Sequence, residues 1–318
     1  MSVRHQRKTI YIFMIIACIF VMDIYQIYVT SSHSSYHQFG VTYMTMNNPF
    51  YEVINNELKK EIEANGDKLI TYDPALNIEK QNEQIYSFIE QKVDGIFVNP
   101  IDSQKIKPAL QAAREANIPV IIIDAPAEDS ELVTSTVVSD NYDAGVQCAL
   151  DMMKRMSSAN VILLKHTSAR SAKDRIDGFL DTIEGHDTYK VINQDECEGQ
   201  LEIAMPVMQK MLMETSDVDV VMALNDPSAL GALAALEANH KSDVIVYGVD
   251  GTPDVKSLIK KNDSIAGTVA QSPIQIGKSA AEIMYDYLSG NEIVSEKIIS
   301  VSLINRSNID EYDEMGWQ

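Results

Sequence analysis

Side chains that give or take hydrogen bonds recur in this sequence at one kind of place, directly after a short apolar run. Asn47-Asn48-Pro49-Phe50-Tyr51 follows the run at Gly40–Met44, Asn99-Pro100 follows GIFV, and Asp124 ends VIIID. In the second half Asn225-Asp226, Asp250-Gly251 and Gln271 stand in the matching positions. A carboxylate only accepts and an amide does both, while the guanidinium of Arg175 could add a planar fork of donors. That mixture suits a neutral polyol, each of whose hydroxyls donates and accepts. Phe50 and Tyr51 could lie against the apolar C–H face of a sugar ring. Taken singly, each residue has a plainer use. An Asx residue between a strand and a helix caps the helix, Asn48 before Pro49 reads as a cap and first turn, Phe50 and Tyr51 read as anchors of that helix, and Arg175 could pair with Asp174 or Asp177 in solvent. Their recurrence at the same end of successive runs is what points to a shared site.

Catalytic chemistry finds less support. The six histidines have no metal-ligand spacing, and no nucleophile elbow, phosphate loop or Cys/His constellation is present. Asp124 and Asp250 could on paper form the carboxylate pair of a glycosidase, but nothing else accompanies them. No cofactor and no metal are expected. Cys148 and Cys197 are an isolated pair and read as unpaired thiols, small hydrophobes.

The runs alternate with stretches of helical period. Extended segments at Gly40–Met44, Lys68–Tyr72, Gly95–Asn99 and Val120–Asp124 are separated by helices at Pro49–Asn65, Ile78–Gln91 and Ser103–Asn117. The pattern resumes with helix Tyr142–Met156 and continues through strands at Val161, Lys190, Val218, Val244 and Ile265 to a last helix, Ile274–Ser289. Runs this continuous predict strands covered on both faces, hence parallel sheets. The number of repeats exceeds one compact sheet, leaving two doubly wound lobes or a closed barrel. Open parallel sheets bind ligands beyond the carboxyl ends of their strands, which is where the polar residues fall.

At 318 residues the chain has room for two domains, and its net charge of −20 repels nucleic acid and anionic lipid. The charge is unevenly spread. Residues 1–35 hold Arg4, Arg7 and Lys8 against Asp23, a net of +2, so the other 283 residues carry −22. A basic head followed by the apolar stretch Ile10–Met22 reads as an export signal. Three fates are open for it. Val29-Thr30-Ser31 would be the cleavage site of a secretory peptide, and Ile15-Ile16-Ala17-Cys18 resembles a lipobox with Cys18 as the lipidated residue. In the third, Thr9–Thr30 is an uncleaved anchor, its 22 residues close to the ~20 that span a bilayer. A carboxylate at the bilayer centre costs about 2.5–3.5 kcal/mol, but Asp23 lies toward the outer end. All three place the folded part outside the cytoplasm.

From Gly40 to Ile304 the chain resembles the periplasmic sugar-binding proteins of the ribose-binding type, the solute-binding components of ABC transporters. The segments that carry the likeness include Thr45-Met46-Asn47-Asn48-Pro49-Phe50-Tyr51, Val98-Asn99-Pro100-Ile101-Asp102-Ser103, Asp174-Arg175-Ile176-Asp177-Gly178-Phe179, Asn225-Asp226-Pro227-Ser228 and Gly248-Val249-Asp250-Gly251-Thr252-Pro253. The resemblance implies an α/β fold of two doubly wound parallel-sheet lobes joined by a three-crossing hinge near Ser139, Gln271 and Ser300, to which the reading of residues 1–35 adds an N-terminal hydrophobic anchor helix. The boundaries expected are 1–35 for signal or anchor and tether, 36–139 with 272–300 for the first lobe, and 140–271 with 301–318 for the second. The resemblance also implies ligand contacts at Asn48, Phe50, Tyr51, Asn99, Asp124, Arg175, Asn225, Asp250 and Gln271. Three positions depart from the ribose pattern: Ala125 stands for an arginine, and Gly199 and Val249 stand for aromatics, which is expected to enlarge the second-lobe side of the pocket. The implied function is capture of a pentose, hexose or related polyol for an ABC permease. The alternative is a membrane-held sensor, anchored through residues 9–30, that presents its closed form to a histidine kinase.

Overall fold

The computed structural model describes residues 36–318 except Ser216, together with Met14 and residues 20–22. Residues 38–318 form one compact unit. The anchor expected at Thr9–Thr30, the tether and Cys18 therefore lie outside the described residues apart from Met14 and residues 20–22. Among the described residues no helix is long and apolar enough to cross a membrane.

The compact unit holds two open six-stranded sheets, so the closed barrel is excluded. The first contains β1 (Gln38–Thr42), β2 (Lys68–Tyr72), β3 (Gly95–Val98), β4 (Val120–Ile123), β5 (Ser135–Ser139) and β11 (Glu296–Ile299). Its order is β11-β5-β4-β3-β1-β2 and every pair is parallel. The second contains β6 (Ala159–Lys165), β7 (Tyr189–Glu196), β8 (Val220–Ala223), β9 (Ile245–Asp250), β10 (Ile265–Ala270) and β12 (Ser302–Asn305). Its order, β12-β10-β9-β8-β6-β7, repeats the first, but β12 runs antiparallel to β10. In both sheets the strand order reverses beside the first strand of the half, the switch point at which such sheets open a crevice. The central strands GIFV, VIII and VVMA are buried at every residue, as strands covered on both faces must be.

The covering helices are α1 (Pro49–Ala64), α2 (Ile78–Glu90), α3 (Lys107–Glu115), α4 (Asn141–Arg155), α5 (Arg170–Ile183), α6 (Leu201–Glu214), α7 (Asp226–Ala238), α8 (Pro253–Ile259) and α9 (Pro273–Leu288). In α1, Ile54, Leu58 and Ile62 form a buried stripe at helical spacing. The chain passes from one sheet to the other between Ser139 and Asn141, between Ala270 and Pro273, and between Ile299 and Ser302. The first and third passages touch, Asp140 N donating to Ile299 O at 2.9 Å.

Sequence periodicity misses β5, β11 and β12. The first begins and ends on serine, and the other two are four-residue edge strands, too short to display a period. The helix expected from Ser103 begins only at Lys107, because Asp102 Oδ1 accepts from the amides of Gln104 and Lys105 and holds a turn there.

Helices α4 and α5 approach so closely that their glycines are obligatory. A Cβ on Gly145 would lie 1.8 Å from the Arg175 carbonyl oxygen, and one on Gly178 would lie 2.1 Å from that of Tyr142. Because α5 carries Arg175, this contact sets the depth of the guanidinium. Gly145→Val is expected to cost roughly 1–3 kcal/mol through overpacking, lowering the melting temperature by several degrees and weakening ligand binding in the same variant. Scanning calorimetry beside titration calorimetry checks both, and unchanged melting would reject the contact as a packing constraint.

Candidate functional site

Loops at the carboxyl ends of both sheets converge on one cavity that holds about 440 Å³ of empty space, its solvent mouth included. Asn48, Phe50, Tyr51 and Asp124 line it from the first half, and Arg175, Asn225, Asp250 and Gln271 from the second. Of the nine residues expected at the site, Asn99 alone does not reach the wall. It is fully buried behind Asp124, where its Nδ2 donates to Asp124 Oδ2 at 3.1 Å and its Oδ1 accepts from Met44 N. Its role is to position the carboxylate.

The helix-capping use and the cavity use coincide in two residues. Asn48 Oδ1 accepts from Phe50 N at 2.9 Å, and Asn225 Oδ1 accepts from Ser228 N at 3.0 Å. Both caps still face the cavity because the helices start there. Arg175 is not the solvated residue that its neighbours would allow; Arg170 takes Asp174 and Lys173 takes Asp177. Arg175 is 4% exposed, its Nε donating to Asn141 Oδ1 at 2.8 Å and its Nη1 to Leu224 O at 2.9 Å, with Asp250 Oδ1 3.8 Å from Nη1.

The two strand-ending aspartates are held in unusual backbone. Asp124 has φ 67° and Asp250 has φ 141°, outside the regions that residues with a Cβ favour. Such conformations persist where the surroundings over-determine them, and they cluster at ligand clamps. Each aspartate keeps one oxygen without a partner. Asp124 Oδ2 accepts from Asn99 and Tyr51, and Asp250 Oδ1 accepts from Gln271 Nε2 at 2.8 Å, while Asp124 Oδ1, Asp250 Oδ2 and Gln271 Oε1 are buried with no hydrogen bond. Three orphan acceptors on one cavity call for donors from a ligand, since a buried unpaired polar atom costs about 1–3 kcal/mol.

Of the three departures from the ribose pattern, Gly199 bears on the cavity wall. It lines the wall at φ 69° and its carbonyl accepts from Asn225 Nδ2 at 3.0 Å. Val249 is fully buried in the core of the second half and Ala125 is buried as well, and neither is among the residues that line the cavity. Reading the sequence misses His166, Ser171, Glu198 and Gln200, all of which line the cavity. His166 follows β6 and Glu198 and Gln200 follow β7, so the strand-end pattern, applied to those two strands, reaches them. Burial pushes the His166 imidazole down, so near neutral pH it offers one donor and one acceptor.

A family model of the periplasmic binding protein domain matches residues 39–292. The ribose import binding protein RbsB of Bacillus subtilis (strain 168) is 33% identical over 266 residues, 83% of this chain and 85% of the relative. The protein of the same name from Escherichia coli (strain K12) is 32% identical over 262 residues, 82% of this chain and 88% of the relative. Among solved structures, an ABC transporter solute binding protein from Bacillus halodurans C-125 with bound myo-inositol superposes with a TM-score of 0.81 at 27% identity, over 87% of this chain and 96% of the other.

Burial raises the carboxyl groups of Asp124, Asp226 and Asp250 above the usual range, and the nearby Arg175 offsets this only in part. A carboxyl raised in the folded state binds its proton where the unfolded chain has released it, so it removes stability as pH rises from about 4 through the folded value. Asp250→Asn deletes one such group. Its stability advantage over the wild type, both free of ligand, is expected to grow between pH 4 and 7. Urea midpoints at successive pH values measure it, and a constant difference would show that Asp250 is not raised.

Proposed function

The chain belongs to the periplasmic binding protein family, and we propose that its cleft captures a neutral sugar or polyol outside the cytoplasm and delivers it to an ABC importer. As a member of that family it is a binding protein and not an enzyme. The observation that carries the sugar reading is the set of three buried, unpartnered acceptors, Asp124 Oδ1, Asp250 Oδ2 and Gln271 Oε1, on one cavity wall. Hydroxyl groups spaced around a small ring would donate to them. The rings of Phe50 and Tyr51, 5.7 Å apart and nearly perpendicular, supply an apolar surface for the C–H faces. Ribose, named for the relatives, and myo-inositol, bound in the structural neighbour, both have this character. The glycine at position 199 supports a sugar other than ribose.

The mechanism we propose is hinge closure. Residues 36–139 with 272–300 would move against 140–271 with 301–318 about the three passages between the sheets. A ligand that touches Asp124 on one side and Arg175, Asn225 and Asp250 on the other binds the closed arrangement better, and so shifts the population toward it. An ABC permease would read the closed form. The basic, apolar start of the chain supports export, and an anchor over residues 9–30 would hold the binding unit at the outer face of the membrane.

A thermal-shift and calorimetric screen of pentoses, hexoses and cyclic polyols tests the reading. At least one neutral member is expected to raise the melting temperature, and a panel without any shift would reject it. Asp250→Ala or Asp124→Ala is expected to weaken the same ligand at least about tenfold, because each removes an acceptor from a buried network. Unchanged affinity in both would move the site elsewhere.

A further inference from the structure

The last residues of the sequence join neither sheet, yet a fully buried lysine holds them. Lys256, on α8 of the second half, donates from Nζ to the carbonyl oxygens of Asp313 at 2.5 Å and Gly316 at 2.6 Å, and reaches Gln318 Oε1 at 3.4 Å. All three ammonium donors are thus matched by one six-residue segment, the condition under which a buried charge is tolerated. The Gln318 side chain lies over Gly251, beside Asp250: its Oε1 is 3.4 Å from where a Cβ would stand. From this anchorage Trp317, the single tryptophan of the sequence, extends to the first half and meets Phe50 edge-on, with centroids 5.8 Å apart at 60°. Phe50 in turn packs edge-on against Tyr51, whose hydroxyl touches Asp124 Oδ2 at 3.4 Å.

A continuous line of contacts therefore runs from α8 of one half to the cavity wall of the other. The polar contacts across the cleft mouth, such as Asn47 Nδ2 to Glu202 Oε1 at 3.0 Å, are exposed and compete with water. The apolar contact through Trp317 does not. Opening the halves must break it, because Lys256 keeps the segment with the second half.

We propose that residues 313–318 form a strap that favours the closed cleft, with Trp317 acting as a positioning residue that seats Phe50 and slows release of the ligand. The release part of this proposal rests on the sugar-binding reading; the strap itself does not.

Stopped-flow binding of the sugar found in the screen compares the wild type with Trp317→Ala and Trp317→Phe in the full chain. Dissociation is expected to speed up about two- to tenfold in Trp317→Ala, the worth of one aromatic pair, with association little changed, and Trp317→Phe is expected to recover most of the difference. An unchanged dissociation rate in Trp317→Ala overturns the proposal. Acrylamide quenching of the single tryptophan provides the arm that needs no sugar: Lys256→Met is expected to raise quenching, and equal quenching in the two proteins overturns the strap. If no sugar binds any variant, the sugar reading fails while this comparison still decides the strap.

Discussion

One guanidinium organises the interior of this protein. Arg175 is buried with Asp250 beside it, and it also offsets in part the raising that burial imposes on the carboxyls of Asp124 and Asp226. Removing a charge from water costs several kcal/mol even after relaxation, so such a group persists only where it has partners and its position is enforced. Both conditions are visible. Asn141 at the start of α4 and the Leu224 carbonyl after β8 accept from it, and the glycines at 145 and 178 let α4 and α5 close to a distance no Cβ would permit. The first passage between the halves ends at Asn141, so the element that crosses the hinge is also the one that fixes the arginine.

The same group ties together residues far apart in sequence. Asp124 closes a strand of the first half and Asp250 a strand of the second, yet both face one cavity and share one cation. Each carries a single unmatched oxygen. The hydrogen-bond network is therefore left open at these two oxygens. A ligand with several hydroxyls completes it from both halves at once, which is the differential contact that population shift requires. Asp226 shows the contrast. It is equally buried, but Thr252 and Thr268 satisfy both of its oxygens, and it stays behind the wall as structure.

Much of this was legible in the sequence because the fold places ligands beyond the carboxyl ends of strands, and those ends carry Asx residues at Asn48, Asp124, Asn225 and Asp250. Burial of the central strands likewise follows from their continuous apolar runs. What escaped has physical reasons. Asn99 satisfies the same pattern but turns toward Asp124, a choice made by the Met44 amide that only tertiary packing brings near. Val249 and Ala125 differ from the ribose pattern, but whether such a change reaches the cavity depends on which face of the backbone they occupy, and neither lines the wall. Trp317 has no sequence signal at all. Its importance arises from a lysine 61 positions earlier in the sequence and from an aromatic on the opposite half, a juxtaposition created by the last passage between the sheets.

The charge balance of the cavity also selects the class of ligand. Asp124 and Asp250 on the wall and Asp226 behind it surround one buried guanidinium, so with every carboxylate ionised the surroundings are already anionic; burial raises all three carboxyls, and at Asp250 the charges of Asp226 and Asp124 add to it. A sugar acid or sugar phosphate would add a further negative charge. At a separation of 4 Å and an effective dielectric of about 20, each new like-charge pair costs about 4 kcal/mol, against which the cavity wall offers one buried guanidinium, Arg175. A cation would meet the opposite difficulty, since it offers the orphan oxygens donors but must displace or repel Arg175 at the same wall. A neutral polyhydroxyl ring avoids both costs, because it donates to the unmatched acceptors without changing the charge. The exterior acts in the same sense: with −22 on the residues beyond the first 35, anions are repelled at long range, while neutral sugars arrive by diffusion unaffected by the field.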